Sequence, residues 1–177
     1  MDLGGLRGHN APVQLVLIRH GIAAERETWT GDDALRPLTE PGRARFDAVV
    51  VGLGRLGLRF ERVLHSPWLR AAETAQRLVP LTDGPLRSVA ALAAPVTPVA
   101  VDALLADASH RGTTALVGHE PYLSELLAAL LAPTTPVPLP VRWKKGGVAW
   151  LEGDGPAAGA FSLVAFLPPS VLRRVGP

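Results

Sequence analysis

A chain of 177 residues and 18.6 kDa is long enough for one well-buried core and short for two. Hydrophobic residues at 47% exclude a disordered chain, no apolar run reaches membrane-spanning length, and the lack of cysteine removes disulfides, thiolate nucleophiles and cysteine metal sites. The net charge is only +2, and no basic run is interleaved with aromatics, which leaves nucleic-acid binding without support.

Residues 1–12 contain Gly and Arg and no apolar signal core, so they predict a flexible tail, with a single domain over 13–177. The absence of cysteine is consistent with a cytoplasmic protein. Leu15-Val16-Leu17-Ile18 is a short apolar run that reads as a buried strand, and it runs directly into Arg19-His20-Gly21. Gly21 is expected to let the backbone turn tightly past a ligand. Residues 23–36 are polar and mixed in charge and predict a loop. Thr39 is a candidate N-cap with Pro41 in the first turn, and Phe46, Val49, Val50, Leu53 and Leu56 follow as one apolar helical stripe.

Residues 62–65 predict a second short strand. Ser66-Pro67 reads as the cap and first position of a helix that turns Trp68, Ala71, Ala72, Ala75, Leu78 and Val79 inward, with Arg70 in its first turn. Residues 86–96 are ambiguous between a short strand and a loop. Thr97-Pro98 opens a further helix to about Ala108. Residues 113–117 form a third strand, leading to Gly118-His119-Glu120-Pro121 and a helix with Leu123, Leu126, Leu127, Leu130 and Leu131 on one face. Pro133, Pro136, Pro138 and Pro140 predict a stiff extended connection, and residues 147–152 and 160–167 two closing strands. Alternating strands and helices predict an α/β three-layer sandwich, with a mostly parallel central sheet and helices on both faces.

Three strand ends carry the chemistry. Ile18 leads to Arg19 and His20, Leu64 to His65-Ser66-Pro67 and Arg70, and Val117 to His119. Ligands of open α/β sheets bind at the carboxyl ends of the strands, where helix N-termini add N–H donors. Two arginines and two histidines there suit a tetrahedral oxyanion: arginine forks grip phosphate oxygens, and a neutral imidazole can attack phosphorus. With Arg19 and Arg70 close, a cationic His20 is disfavoured, so its lone pair is available near neutral pH.

The chain resembles the histidine phosphatase superfamily, and within it the short SixA-type phosphohistidine phosphatases. The match extends from Val13 onward through Leu17-Ile18-Arg19-His20-Gly21, Arg36-Pro37-Leu38-Thr39-Glu40-Pro41-Gly42, Ser66-Pro67-Trp68-Leu69-Arg70-Ala71, Val117-Gly118-His119-Glu120-Pro121 and Lys145-Gly146-Gly147. Each motif alone has modest specificity; five in this order are specific. The resemblance implies a phosphoglycerate mutase-like fold, with His20 as the nucleophile that becomes phosphorylated. It makes Arg19, Arg70 and His119 the groups that bind phosphate and stabilise the transition state, and Arg36 a rim contact. One departure stands out. Larger members carry a carboxylate as general acid after the second helix, where this chain reads Ser88-Val89-Ala90-Ala91-Leu92-Ala93-Ala94-Pro95.

Plainer roles compete with these. Arg70 could balance Glu73 or Glu120 on a helix surface, and His119 could be a satisfied buried histidine. His65 reads as structural, His9 and His110 as exposed, and Asp32-Asp33 as a solvated loop. Lys144-Lys145 could steer an acidic partner or simply form a soluble edge. The expectation is a metal-independent phosphohydrolase without a cofactor, working through a phosphohistidine on His20 and acting on a phosphorylated protein or a small phosphorylated metabolite. Protein phosphohistidine is the favoured substrate. The alternatives are a phosphatase of small phosphate esters and a non-catalytic phosphate-recognition module.

Overall fold

The structure, a computed structural model, describes residues 12–108, 112–132 and 139–175. The expected tail over residues 1–11, the exposed His9 and His110, and most of the proline-rich connection lie outside these residues. Six strands form one sheet: β1 (Val13–Arg19), β2 (Arg62–His65), β3 (Leu86–Ser88), β4 (Gly112–Gly118), β5 (Val148–Gly153) and β6 (Phe161–Leu167). Their order is β3-β2-β4-β1-β5-β6. The first four strands in this order run parallel, while β5 and β6 pair antiparallel along one edge.

Period-two alternation explains the layers. Leu15 and Leu17 of β1, with Leu64 and Leu116, face one core with α3 (Pro98–Asp107) and α4 (Tyr122–Leu131). Val16 and Ile18, with Val63, Ala115 and Val117, face the other. That side is covered by α1 (Glu40–Arg55), α2 (Leu69–Arg77) and α5 (Pro169–Val175). Both faces of β1 are dry, which its unbroken apolar run requires. The architecture is the expected three-layer, mostly parallel α/β sandwich.

Local details differ from the sequence pattern. The second helix starts at Leu69 with Trp68 as N-cap, so Ser66 and Pro67 precede it; Ser66 Oγ accepts from the Trp68 N–H at 3.2 Å. Val79, expected inward, is exposed, because the helix ends at Leu78 and a 3-10 turn over Val79–Leu81 swings it out. Leu56, the last residue of the expected stripe, caps α1 and is exposed. The ambiguous stretch resolves into β3 and a 3-10 turn over Ala90–Ala93. Also not expected were α5 and a 3-10 turn over Asp33–Leu35 inside the long loop. Helix α5 rests on Gly52, where a Cβ would meet the Leu172 carbonyl oxygen at 2.1 Å. Gly21 has no positive φ; what constrains it is packing, since a Cβ there would come within 3.3 Å of Leu38.

Candidate active site

Strands β1, β2 and β4 end side by side, in a register that pairs Arg19 with Gly118 and His65 with Val117. The main chain then locks the ends together. His20 N–H donates to the Gly118 carbonyl at 3.1 Å and Ser66 N–H to that of Val117 at 2.9 Å. From this frame Arg19, His20, Arg70 and His119 converge, with the two imidazole rings 5.0 Å apart. His20, Arg70 and His119 are buried, as is Arg36, and Arg19 is half-buried.

The tautomer of His20 follows from its partner. Nδ1 lies 2.7 Å from the carbonyl oxygen of Gly21, which can only accept, so Nδ1 carries the proton and Nε2 the lone pair. Gly21 is held in turn, its N–H donating to Thr74 Oγ1 at 3.0 Å while the Thr74 hydroxyl donates to the Arg70 carbonyl at 2.6 Å. Burial pushes the His20 pKa well below the ordinary value, and the neighbouring His119, Arg70 and Arg19 push the same way. The Gly21 hydrogen bond opposes them and loses. His20 is therefore neutral at physiological pH.

His119 is held by Ser66, whose Oγ lies 2.8 Å from Nε2, and by the Trp68 ring at 4.6 Å between centroids. Its pKa is lowered to about 3, first by burial and then by the charge of Arg70. Arg70 places its guanidinium 4.5 Å from the centre of the Trp68 ring. Arg19 donates through one terminal nitrogen to the Trp143 carbonyl. Burial lowers the pKa of both arginines, opposed at Arg19 by Glu120 and at Arg70 by Asp33. Arg19 Nε, Arg70 Nε and His119 Nδ1 are buried without a partner. Unpartnered polar atoms of this kind are costly in an inert core, and these three belong to residues at the ends of the central strands or just after them.

Asp33, expected to be a solvated residue, closes the arrangement. Its backbone carbonyl and Oδ2 take both terminal nitrogens of Arg70, at 2.6 and 2.9 Å, and its Oδ1 takes Arg36 Nε at 2.9 Å. Arg36 also donates to the Ala24 carbonyl at 2.6 Å. Burial works to raise the Asp33 pKa, but Arg36 and Arg70 outweigh it and hold the carboxyl below its ordinary value. Asp33 is therefore ionised and has no proton to give. Glu73, the suggested partner of Arg70, instead binds Arg43 and the Leu38 N–H, and Glu120 bonds to Ser124. Sequence reasoning missed Asp33, Ser66, Trp68 and Thr74 as parts of the site. The Asp33-to-Arg36 spacing, one turn of a 3-10 helix, was a signal for the first.

A family model described as the histidine phosphatase superfamily (branch 1) matches residues 15–94. An uncharacterized protein of Picosynechococcus sp. is 39% identical over 123 residues, which span 67% of this chain and 73% of that protein. The structure of the protein histidine phosphatase SixA complexed with tungstate superposes with a TM-score of 0.70 at 24% identity, covering 89% of this chain and 97% of the other. Phosphoglycerate mutase from Bacillus anthracis gives 0.64 at 16% identity, covering 94% and 97%.

Proposed function

The chain belongs to the histidine phosphatase superfamily, and from that footing we propose that residues 13–177 form one phosphohydrolase domain whose substrate is phosphohistidine on a protein. The observation that carries this reading is a neutral, buried His20, its Nδ1 proton fixed on the Gly21 carbonyl, beside the buried Arg70 and the half-buried Arg19. In the first step Nε2 forms a bond to phosphorus as the bond to the leaving nitrogen breaks. The positive charge gained by the imidazole is spread toward the Gly21 carbonyl through Nδ1–H. Arg19 and Arg70 neutralise the equatorial oxygens. The Ser66 hydroxyl, which accepts from Trp68 N–H, is placed to donate to His119 Nε2. That leaves the His119 proton on Nδ1, available to a phosphoryl oxygen. Water then attacks the phosphohistidine, releases phosphate and regenerates His20. No step calls on a metal or cofactor.

The preference for a P–N bond rests on the missing acid. Residues 88–95 hold no carboxylate, Asp33 is ionised, and His119 is neutral. A basic alkoxide needs a positioned proton donor, worth about 10²–10⁴-fold, while a phosphorylated imidazole can take its proton from water near neutral pH. The cavity beside His119, bordered by Leu92 and Tyr122, measures about 10 Å³. That is room for one water, and since neither His20, Arg19 nor Arg70 lines it, it is not where a substrate binds.

Hydrolysis of a phosphohistidine peptide and of sugar phosphates, compared in EDTA at one pH, tests the reading. A clear kcat/KM advantage for the peptide is expected. An alkaline quench during turnover should show one added phosphoryl group by intact mass, absent in His20→Ala. Preference for an alkyl phosphate, or undiminished turnover by a folded His20→Ala protein, would overturn it.

A further inference from the structure

On the far side of Gly21 lies a shallow dent that catalysis does not use. Phe46, Val49 and Gly21 line it, and its rim carries three cations: Arg45 from α1, Lys145 from the turn before β5, and Arg173 from α5. None of the three has an acidic partner among the described residues. By contrast Arg36, Arg43, Arg59, Arg70, Arg77 and Arg87 each hold a carboxylate. Arg45 and Arg173 are exposed and Lys145 is half-buried. Lys144 and Arg174, next to them in sequence, are exposed and form no ion pair among the described residues.

The dent encloses about 10 Å³, so it cannot enclose a second phosphate or a metabolite. Its cations act outward, on whatever surface lies across them. They are also tied to the catalytic strand end. The Gly146 N–H donates to the carbonyls of Arg19 and His20 at 3.0 and 3.1 Å, and Gly21 is both the residue after His20 and a wall of the dent. Lys145 therefore sits one residue from a backbone bond to His20, within the footprint of a macromolecule that presents a phosphoryl group there.

Building on the phosphohistidine reading, we propose that the Arg45–Lys145–Arg173 rim docks an acidic surface of the phosphorylated protein, so that the substrate is selected by charge outside the phosphate pocket. A protein fits better than a nucleic acid, because the ring in the dent, Phe46, is buried and offers no face for base stacking. Unpaired cations around a site raise the local concentration and on-rate of an anionic partner, and salt within a Debye length removes the gain.

The experiment compares wild type with the double variant Arg45→Glu/Arg173→Glu. Substrates are a phosphohistidine peptide flanked by aspartates, the same peptide flanked by serines, and phosphoramidate. Wild type should prefer the aspartate peptide by about 10-fold in kcat/KM at low salt, with the preference fading as salt is added. The double variant should lose the preference while turning over phosphoramidate at the wild-type rate, which also vouches for its fold. Fluorescence anisotropy with the unphosphorylated aspartate peptide reads the surface without turnover. Weaker binding to the double variant supports the rim even if no substrate is hydrolysed, an outcome that would sink the phosphatase reading alone. Equal peptide preference or equal binding in both proteins, or binding of single-stranded RNA in place of the aspartate peptide, overturns the acidic-protein surface.

Discussion

Helix α2 carries an arginine at each end, and the two live in different chemical worlds. Arg70, in the first turn, is 3% exposed, stacks on Trp68, leaves Nε without a partner and has its pKa lowered by burial. Arg77, in the last turn, reaches Asp47 with a single nitrogen, Nη1, at 2.6 and 2.7 Å across a surface where the carboxylate side chain is 52% exposed. Same residue type, same helix, same sign of charge: what separates them is the strand end. At the carboxyl edge of the sheet, cations are packed together and left partly unanswered, whereas at the far end of α2 each charge has a hydrated partner. A buried cation that keeps one donor free beside its Asp33 partner is poised for an anion; a cation met in water is solvation.

Arg70→Ala should break this contrast most severely. Loss of one fixed donor is expected to lower kcat about 10²–10³-fold, or about 2.7–4 kcal/mol of transition-state stabilisation. Arg70→Lys should recover only part of it, since a point charge cannot reproduce a planar fork. Steady-state kinetics on phosphoramidate decide, and equal rates for all three proteins would place Arg70 outside the site.

The next effect is on stability against pH. His20 and His119 stay neutral in the fold, His119 down to about 3. In the unfolded chain a histidine takes its proton near pH 6.5. Below that point the unfolded state binds more protons than the fold, so unfolding free energy should fall as the pH drops. Urea midpoints between about pH 6.5 and 5, above the carboxylate range, isolate the histidine contribution. His119→Asn should make the decline shallower. An identical slope in both proteins would mean that His119 is not held neutral by the fold.

A smaller effect is expected at Asp33. It occupies both terminal nitrogens of Arg70, so an oxyanion must compete with it. Asp33→Ala removes the carboxylate and keeps the backbone contact. Tungstate binding, followed by calorimetry, should tighten by about 3–10-fold, the scale of one exposed charge-assisted contact exchanged for another. Weaker binding would mean that Asp33 aims Arg70 more than it competes for it.

The strand-end residues were legible in the sequence because the signal is local: an apolar run, then Arg19-His20 or Gly118-His119, states both burial and chemistry in a few positions. The layers were legible for the same reason, since alternation in β1 and helical spacing in α1 each name a face. What escaped were pairings across sequence distance. Asp33 lies 37 residues from Arg70 along the chain, and nothing in an exposed-looking loop announces its partner. Ser66 looked like a helix cap because its spacing allowed that role, but its hydroxyl serves His119, 53 residues on. Helix α5 escaped because its seven residues carry too little periodicity; its place depends on the absence of a side chain at Gly52.

The smallest expected effect is also the sharpest check on the comparison. Arg77→Ala removes a cation from the same helix as Arg70, with the same loss of side-chain volume and formal charge. Its ion pair spans α2 and α1 but is hydrated, so a double-mutant cycle with Asp47→Ala should give a coupling of about 0.2–1 kcal/mol, shrinking with added salt. Turnover of phosphoramidate should not change, because neither side chain shares a partner with Arg70, His20 or Asp33. Thermal and urea unfolding measure the coupling, and the same kinetic assay used for Arg70 measures turnover. If Arg77→Ala slowed turnover as much as Arg70→Ala, the loss at Arg70 would be a property of losing any α2 cation. Burial at the strand end would then explain nothing about the chemistry.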